Sequence, residues 1–341
     1  MSRRVAILLA TYEGERYLPE QLASIAAQTH ADWVLYWRDD GSCDGSVALL
    51  DAFAAGAGAG RVVRVAGGER LGAAGSFFHL LRHAVVAESG AAAFAFADQD
   101  DVWRPEKLAV GLAALERYDI AFAPPSRSSS LLDRVIQTYG DATYGHHALA
   151  DRPGPTLWFC RTALVDAALR PIGIQPNLGA PYGFPAALVE NTAGGCAMLL
   201  DAAAARLVAA SAPPAGCLHD WWAHILVGAA GGMVLREDAP LVLYRLHGGN
   251  LVGSRPPPLI QRAVAALIRG PRFQMTMLRC HLDGLAAHPA LLTPEALASV
   301  TRLRAALAGG LLRRASALGL AGLRGRRRLR TWLFRLWFLL G

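Results

Sequence analysis

Three aspartates fall within four positions in "FAFADQDDVW", residues 94–103, where Asp98, Asp100 and Asp101 follow an apolar run suited to a buried strand. Carboxylates this close repel one another and lose hydration on burial, so they persist either in open solvent or around a cation that neutralises them. Hard oxygen donors at alternate positions suit Mg²⁺ or Mn²⁺. A solvated turn that caps the next helix is the other reading, because "WRPEKLAVGLAALERY" (103–118) has Pro105 near a first turn and apolar residues at helical spacing. One cap, however, requires one Asp.

The elements that would carry these residues alternate. "VAILLATY" (5–12) reads as a strand buried on both faces, "YLPEQLASIAAQT" as a helix and "WVLYWRDDGSCDGS" (33–46) as a strand running into a second acidic turn. "VALLDAFAAGAG" reads as a helix, "RVVRVAG" as a strand, "SFFHLLRHAVVAES" as a helix and "AAAFAFADQDD" as a fourth strand. Such alternation predicts a doubly wound α/β sheet, in which ligand chemistry gathers at the carboxyl ends of the strands. Past residue 120 the order loosens: "APPSRSSSLLDR" and "RPIGIQPNLGAPYGFPAA" read as irregular. "NTAGGCAMLLDAAAARLVAA" (191–210) then predicts a strand-like stretch and a helix, "LHDWWAHILVGAAGG" a helix opening at His219 and Asp220, and "MVLREDAPLVLYRLHGGN" (233–250) strands ending in a polar turn.

Composition narrows the function classes. The 341 residues suffice for one large α/β domain with additions, and the five cysteines form no C-x-x-C pair, which argues against a zinc site or a disulfide framework. No apolar run reaches the length of a membrane-spanning helix, and no cleavage-type sequence follows the first strand, so the expected location is the cytoplasm. The formal charge of +7 is a property of the tail: residues 301–341 hold ten Arg and no acid, leaving the first 300 residues slightly acidic. That distribution disfavours nucleic acid as a partner of the body.

Taken together, "LLATYEGERYLPEQLASIAAQT", "RDDGSCDGS", "ADQDDVWRPEKL", "NTAGGCAML", "HDWW" and "YRLHGGN" resemble, in order, the motifs of the family 2 glycosyltransferases, above all the bacterial rhamnosyltransferase-like members. The resemblance implies a GT-A fold over residues 1–255, a nucleotide-binding part to about 118 and an acceptor part beyond it, followed by a helical extension at 256–341. It implies that Thr11, Tyr12, Glu13, Asp39, Asp40, Asp98 and Gln99 hold a nucleotide sugar, plausibly dTDP-rhamnose. Asp100 and His247 would be ligands of Mg²⁺ or Mn²⁺ on the diphosphate, and Asp101 a helix cap or holder of a water. Asp220 would be the base that takes a proton from an acceptor hydroxyl. Asn191, Gly194, Gly195, Trp221 and Trp222 would contact the acceptor, a glycan or lipid-linked glycan. Bland alternatives stand beside two of these roles: a helix N-cap for Asp220 and a structural histidine for His247. Ala74 and Ser76 stand where the family often has Asn, and Leu246 and Gly249 differ from its usual "YRQHGNN".

The reaction expected is therefore inverting, metal-dependent sugar transfer. The rival is a non-catalytic glycan- or membrane-surface-binding protein on the same fold, and a nucleotidyltransferase is a third option. In "LRGRRRLRTWLFRLWFLLG" (323–341), arginines interleave with Trp332, Phe334, Trp337 and Phe338. This basic amphipathic tail either lies peripherally on the inner face of the plasma membrane or packs on protein.

Overall fold

A computed structural model of the chain describes residues 3–67, 69–121, 154–176, 179–248, 270–320 and 322–341. The loop read at 123–134, the start of the extension and the last two residues of "YRLHGGN" lie outside the described residues. The first half alternates as expected: β1 (Val5–Thr11), α1 (Leu18–Ala26), β2 (Trp33–Asp39), α2 (Ser46–Ala55), β3 (Val62–Arg64), α3 (Gly72–Ala87) and β4 (Ala93–Asp98). β1 lies between β2 and β4, parallel to both, with Val5 opposite Trp33 on one side and Ala93 on the other. Period-two alternation sends Val5, Ile7 and Leu9 into one apolar cluster and Ala6 and Leu8 into another. A strand covered on both faces needs an apolar residue at nearly every position, which is why "VAILLAT" carries no charge.

The second half mixes directions. β5 (Val102–Trp103) and α4 (Lys107–Ala121) follow β4, and then come β6 (Thr156–Val165), β7 (Pro171–Ile174), β8 (Met198–Asp201), α5 (Ala202–Ala209), α6 (His219–Ala229) and β9 (Met233–Arg245). The nine strands form one sheet in the order β3-β2-β1-β4-β8-β6-β9-β5, with β7 paired to β6. β8 runs antiparallel to both β4 and β6, while β6 and β9 are parallel. The expected doubly wound, mostly parallel sheet is thus parallel from β3 to β4 and mixed beyond. The Pro- and Gly-rich stretch read as wholly irregular contains the short strand β7.

Four further helices close the chain: α7 (Gly270–Ala286), α8 (Pro294–Ala308), α9 (Leu311–Ala317) and α10 (Arg328–Leu340). Thr293 caps α8, its hydroxyl accepting from Ala296 N at 3.1 Å, with Pro294 in the first turn. These helices are joined to the sheet domain by a common core: Leu278, Leu282, Val300, Leu303, Phe334 and Phe338 belong to the cluster that contains Ala6, Phe77 and Trp222. Phe334→Ala is expected to lower the unfolding free energy of the whole chain by about 3–5 kcal/mol, the usual cost of removing a fully buried ring, in denaturant titration. A self-contained extension would instead show a separate transition, with the sheet domain unaffected.

Candidate active site

The carboxyl end of β4 is where charge converges. Asp98 closes the strand, and the turn after it brings Asp100 and the fully buried Asp101 beneath the end of β9. Arg245, the last residue of β9, fastens that turn: its backbone N donates to Asp101 Oδ1 at 3.1 Å and its Nε to the Asp100 carbonyl at 2.8 Å. Just beyond, His247 Nε2 lies 2.7 Å from Asp100 Oδ2, and its ring packs against Tyr17 at 4.6 Å. Asp101 caps no helix, since α4 begins only at Lys107.

Burial and mutual repulsion act on this cluster together. Burial, then the charges of Asp101, Asp100 and Asp220, hold the Asp98 carboxyl well above its ordinary pKa. Burial and Asp100 push Asp101 up to about 7. Besides Arg245, the buried cation at hand is Lys107, whose Nζ donates to the Cys196 carbonyl at 2.7 Å and sits 3.2 Å from the centre of the Trp103 ring. Burial lowers this lysine to about 8, so it offsets the acids only in part.

Donor oxygens of Asp98 and Asp101 and the Cys196 sulfur lie within 4.8 Å of one another, and Asp101 Oδ2 is buried without a hydrogen-bond partner. Carboxylate oxygens in excess over positive charge, with an imidazole alongside, fit a hard divalent cation. The Cys196 sulfur is the poorest match in this group for Mg²⁺ or Mn²⁺, because a soft sulfur donor selects softer metals than these.

Asp220 arrives from the opposite side. It stands in the first turn of α6, whose N-cap is Leu218, so the N-cap alternative does not describe it. Its Oδ2 accepts from Gly195 N at 3.0 Å and its Oδ1 from Trp221 N at 2.6 Å, and Gly195 is followed by Cys196, whose sulfur belongs to the cluster. Gly195 is required by proximity: a Cβ there would come within 2.5 Å of His219 Nε2. His219 is itself stacked on Phe77 at 4.0 Å and lowered to about 4 by burial, hence neutral. Asn191 and Gly194 lie on the loop leading to Gly195, and Asn191 Oδ1 accepts from Ala193 N at 3.3 Å. Trp221 and Trp222, expected at the acceptor, are instead buried, their indole N–H groups donating to the Ala187 carbonyl and to Ser211 Oγ, and neither offers an exposed ring face to a sugar.

On the other side of β1 a cleft of about 600 Å³ opens beside Asp39, Asp40, Arg64, Gly67 and Arg70. The Arg70 guanidinium covers the Tyr12 ring at 3.9 Å. Asp39 Oδ2 accepts from Gly41 N and Ser42 N, and Glu13, at φ +50°, accepts from Cys43 N. Two expected nucleotide contacts have other partners. Asp40 accepts from buried Arg38 and Ser76 and from Leu71 N and Gly72 N, so it shapes the wall. Gln99 accepts from Thr11 Oγ1 at 2.7 Å and Tyr12 N at 2.8 Å and donates back to the Tyr12 carbonyl, which ties the β1 loop to the acidic turn and engages Thr11 as well. The sequence reading did not single out Arg38, Arg64, Arg70, Lys107 or Arg245. Of these, Arg38, Lys107 and Arg245 lie inside the motifs quoted above, and that position is the available signal.

Residues 6–159 match the model of the family described as Glycosyl transferase family 2. The chain is 24% identical over 255 residues to the dTDP-rhamnosyl transferase RfbG of Shigella flexneri, covering 72% of this chain and 74% of that protein. Its fold resembles that of S. aureus TarS 1-349, solved in complex with UDP-GlcNAc, with a TM-score of 0.51 at 13% identity over 98% of this chain and 88% of that one.

Asp40→Asn leaves the Arg38 guanidinium buried beside a neutral side chain and is expected to cost about 3 kcal/mol of stability, against about 1 kcal/mol for Asp39→Asn, in equilibrium unfolding at neutral pH. Burial opposes ionisation of Asp40, but Arg38 and the two backbone donors outweigh it and hold its pKa below the ordinary value. The stability it contributes is therefore present above the ordinary carboxylate pKa and lost as the pH falls through the lowered one, so the gap between Asp40→Asn and the native chain should close in acid.

Proposed function

We propose, for a chain that is a family 2 glycosyltransferase with the GT-A fold, that it transfers a sugar with inversion from a nucleoside diphosphate to a hydroxyl of a growing cell-surface or lipid-linked glycan. The observation that carries the reading is that one short segment touches both groups: Gly195 N donates to Asp220, and the sulfur of the next residue, Cys196, lies within 4.8 Å of donor oxygens of Asp98 and Asp101. A protein that only bound glycans would gain nothing from four carboxylates that repel one another at a strand end.

In this reading the base and ribose occupy the 600 Å³ cleft, bounded by Asp39 and Arg70, and the diphosphate extends toward Asp98 and Asp100. A divalent cation, Mg²⁺ or Mn²⁺, would be held by Asp98, Asp100 and His247 and would supply countercharge to the diphosphate leaving group. Arg245 keeps Asp100 and Asp101 in register, and Gln99 keeps the first loop against them. Asp220, with both oxygens oriented by backbone N–H groups, accepts the proton of the acceptor hydroxyl as its oxygen attacks the anomeric carbon from the face opposite the departing diphosphate. Similarity to the Shigella protein supports dTDP-L-rhamnose as the donor. The outward face of α10, with Leu329, Trp332, Leu336 and Leu340 exposed among arginines, supports peripheral contact with the cytoplasmic leaflet. Among the described residues no helix is long and apolar enough to cross a membrane.

Asp220→Asn is expected to bind nucleoside diphosphate normally and to turn over about 10²-fold more slowly or worse, measured as sugar transfer against calorimetric binding. Near-normal turnover would remove Asp220 from the mechanism. In Asp100→Ala the outcome reverses: nucleoside diphosphate should bind weakly in the presence of Mn²⁺, and an unchanged, still Mn²⁺-dependent affinity would remove Asp100 from the metal set.

A further inference from the structure

A second cleft, of about 360 Å³, opens where residues 324–332 pass the loop at Ala180 and Pro181. Its wall carries Arg324, Arg326 and Arg328, with Thr331 and Trp332 from the first turn of α10. Arg326 is engaged by Glu190, Nη2 lying 3.1 Å from Oε1. Arg324 and Arg328 are exposed, and no carboxylate among the described residues pairs with either. Two guanidiniums without countercharge at one concave surface suit an anion with several oxygens, because each planar fork donates in parallel to a phosphate.

Trp332 joins this cleft to a different feature. It is 72% exposed, and with Leu329, Leu336 and Leu340 it forms a stripe at three- and four-residue spacing along the outward side of α10, while Phe334, Trp337 and Phe338 face the core. A free phosphate would satisfy the arginines and leave the stripe in water. A purely apolar partner would cover the stripe and leave the arginines unmatched. An amphiphile with a phosphorylated head and a hydrocarbon tail matches both at once.

The cleft also adjoins the acceptor side of the active site. Glu190, which holds Arg326, directly precedes Asn191, and the same loop ends at Gly195, whose N–H donates to Asp220. Glu190 and Gly195 are separated by at most about 18 Å of chain, a span that a short glycan bridges.

We propose that this cleft binds the phosphate or diphosphate head of the lipid that carries the acceptor, with the hydrocarbon tail laid along Leu329, Trp332, Leu336 and Leu340. The inference rests on the reading of the chain as a transferase acting on a lipid-linked glycan, and it identifies where the carrier is held. The head group, gripped at Arg324 and Arg328, fixes how far the glycan's terminal hydroxyl reaches toward Asp220.

The test uses the full-length protein and neutral phosphatidylcholine vesicles doped either with a prenyl phosphate or with phosphatidylglycerol at equal charge. The native chain should sediment preferentially with the prenyl phosphate vesicles, and Arg324→Glu combined with Arg328→Glu should weaken that binding by about tenfold or more. Trp332→Ser should weaken vesicle binding while leaving the affinity for inorganic pyrophosphate unchanged. Nucleoside diphosphate affinity, measured on the same variants, should be unaltered and shows that they are folded. Equal binding to the two kinds of vesicle would overturn the proposal in favour of a general anionic-surface patch. Inorganic pyrophosphate binding as tightly as the lipid would overturn it in favour of a free-phosphate site, and a preference that survives the double variant would place the lipid elsewhere. If the vesicle results hold but no nucleotide sugar is turned over, the transferase reading falls while the lipid site stands. If turnover holds and the preference is absent, only the lipid site falls.

Discussion

The fold is organised around a repulsion. Asp98, Asp100, Asp101 and Asp220 converge at one end of the sheet, and of the two buried cations beside them, Arg245 and Lys107, the lysine is itself weakened by burial to about 8. Like charges in a medium of low polarity do not stay together unless the surrounding structure forces them to. Three devices do so here: the buried Arg245 bonded to the acidic turn, the Gln99 amide locked to the β1 loop, and the Gly195 N–H that orients Asp220. Stability given up at such a place is expected where charge on a ligand completes the balance. In the proposed function that ligand is a divalent cation with a diphosphate.

The reason this end of the sheet can be so polar lies in its other end. β1, β2 and β4 are parallel and fully covered, so their interiors accept only apolar side chains and their carboxyl ends emerge together at one rim. β9 approaches from the mixed half and sets Arg245 and His247 over that rim. The cleft at Asp39 and Arg70 and the acidic turn are thereby placed on either side of β1, joined through Thr11, Tyr12 and Gln99.

Much of this could be read from residue types. The β1-to-β4 alternation, the acidic turn, the helix opened by "HDWW" and the pairing of "YRLHGGN" with the acids all have local signatures of period, punctuation or charge. What escaped was of another kind. β6, "TLWFCRTALV", pairs with β7, β8 and β9 and belongs to no motif, so only the sheet reveals it. Whether a carboxylate meets solvent or a neighbouring donor depends on long-range partners, and nothing in the sequence shows that Arg38, Ser76 and two backbone N–H groups surround Asp40 at the wall of the cleft. Adjacent tryptophans in a helix point in different directions, yet α6 is covered on most sides and both are buried. The tail offered membrane binding or packing as alternatives, and α10 has a face for each: Phe334, Trp337 and Phe338 complete the core, and the opposite stripe is exposed.

The measurement that bears most directly on the central claim is the affinity of the native chain for a nucleoside diphosphate, dTDP or UDP, titrated calorimetrically in Mn²⁺ and again after chelation. If the convergence of acids exists to hold a cation and a diphosphate together, binding should tighten by at least about tenfold with the metal, as expected when a bound ion offsets charge in a partly buried site. Equal affinity in the two conditions would contradict the account, because the carboxylates would then repel the diphosphate without any means of receiving it.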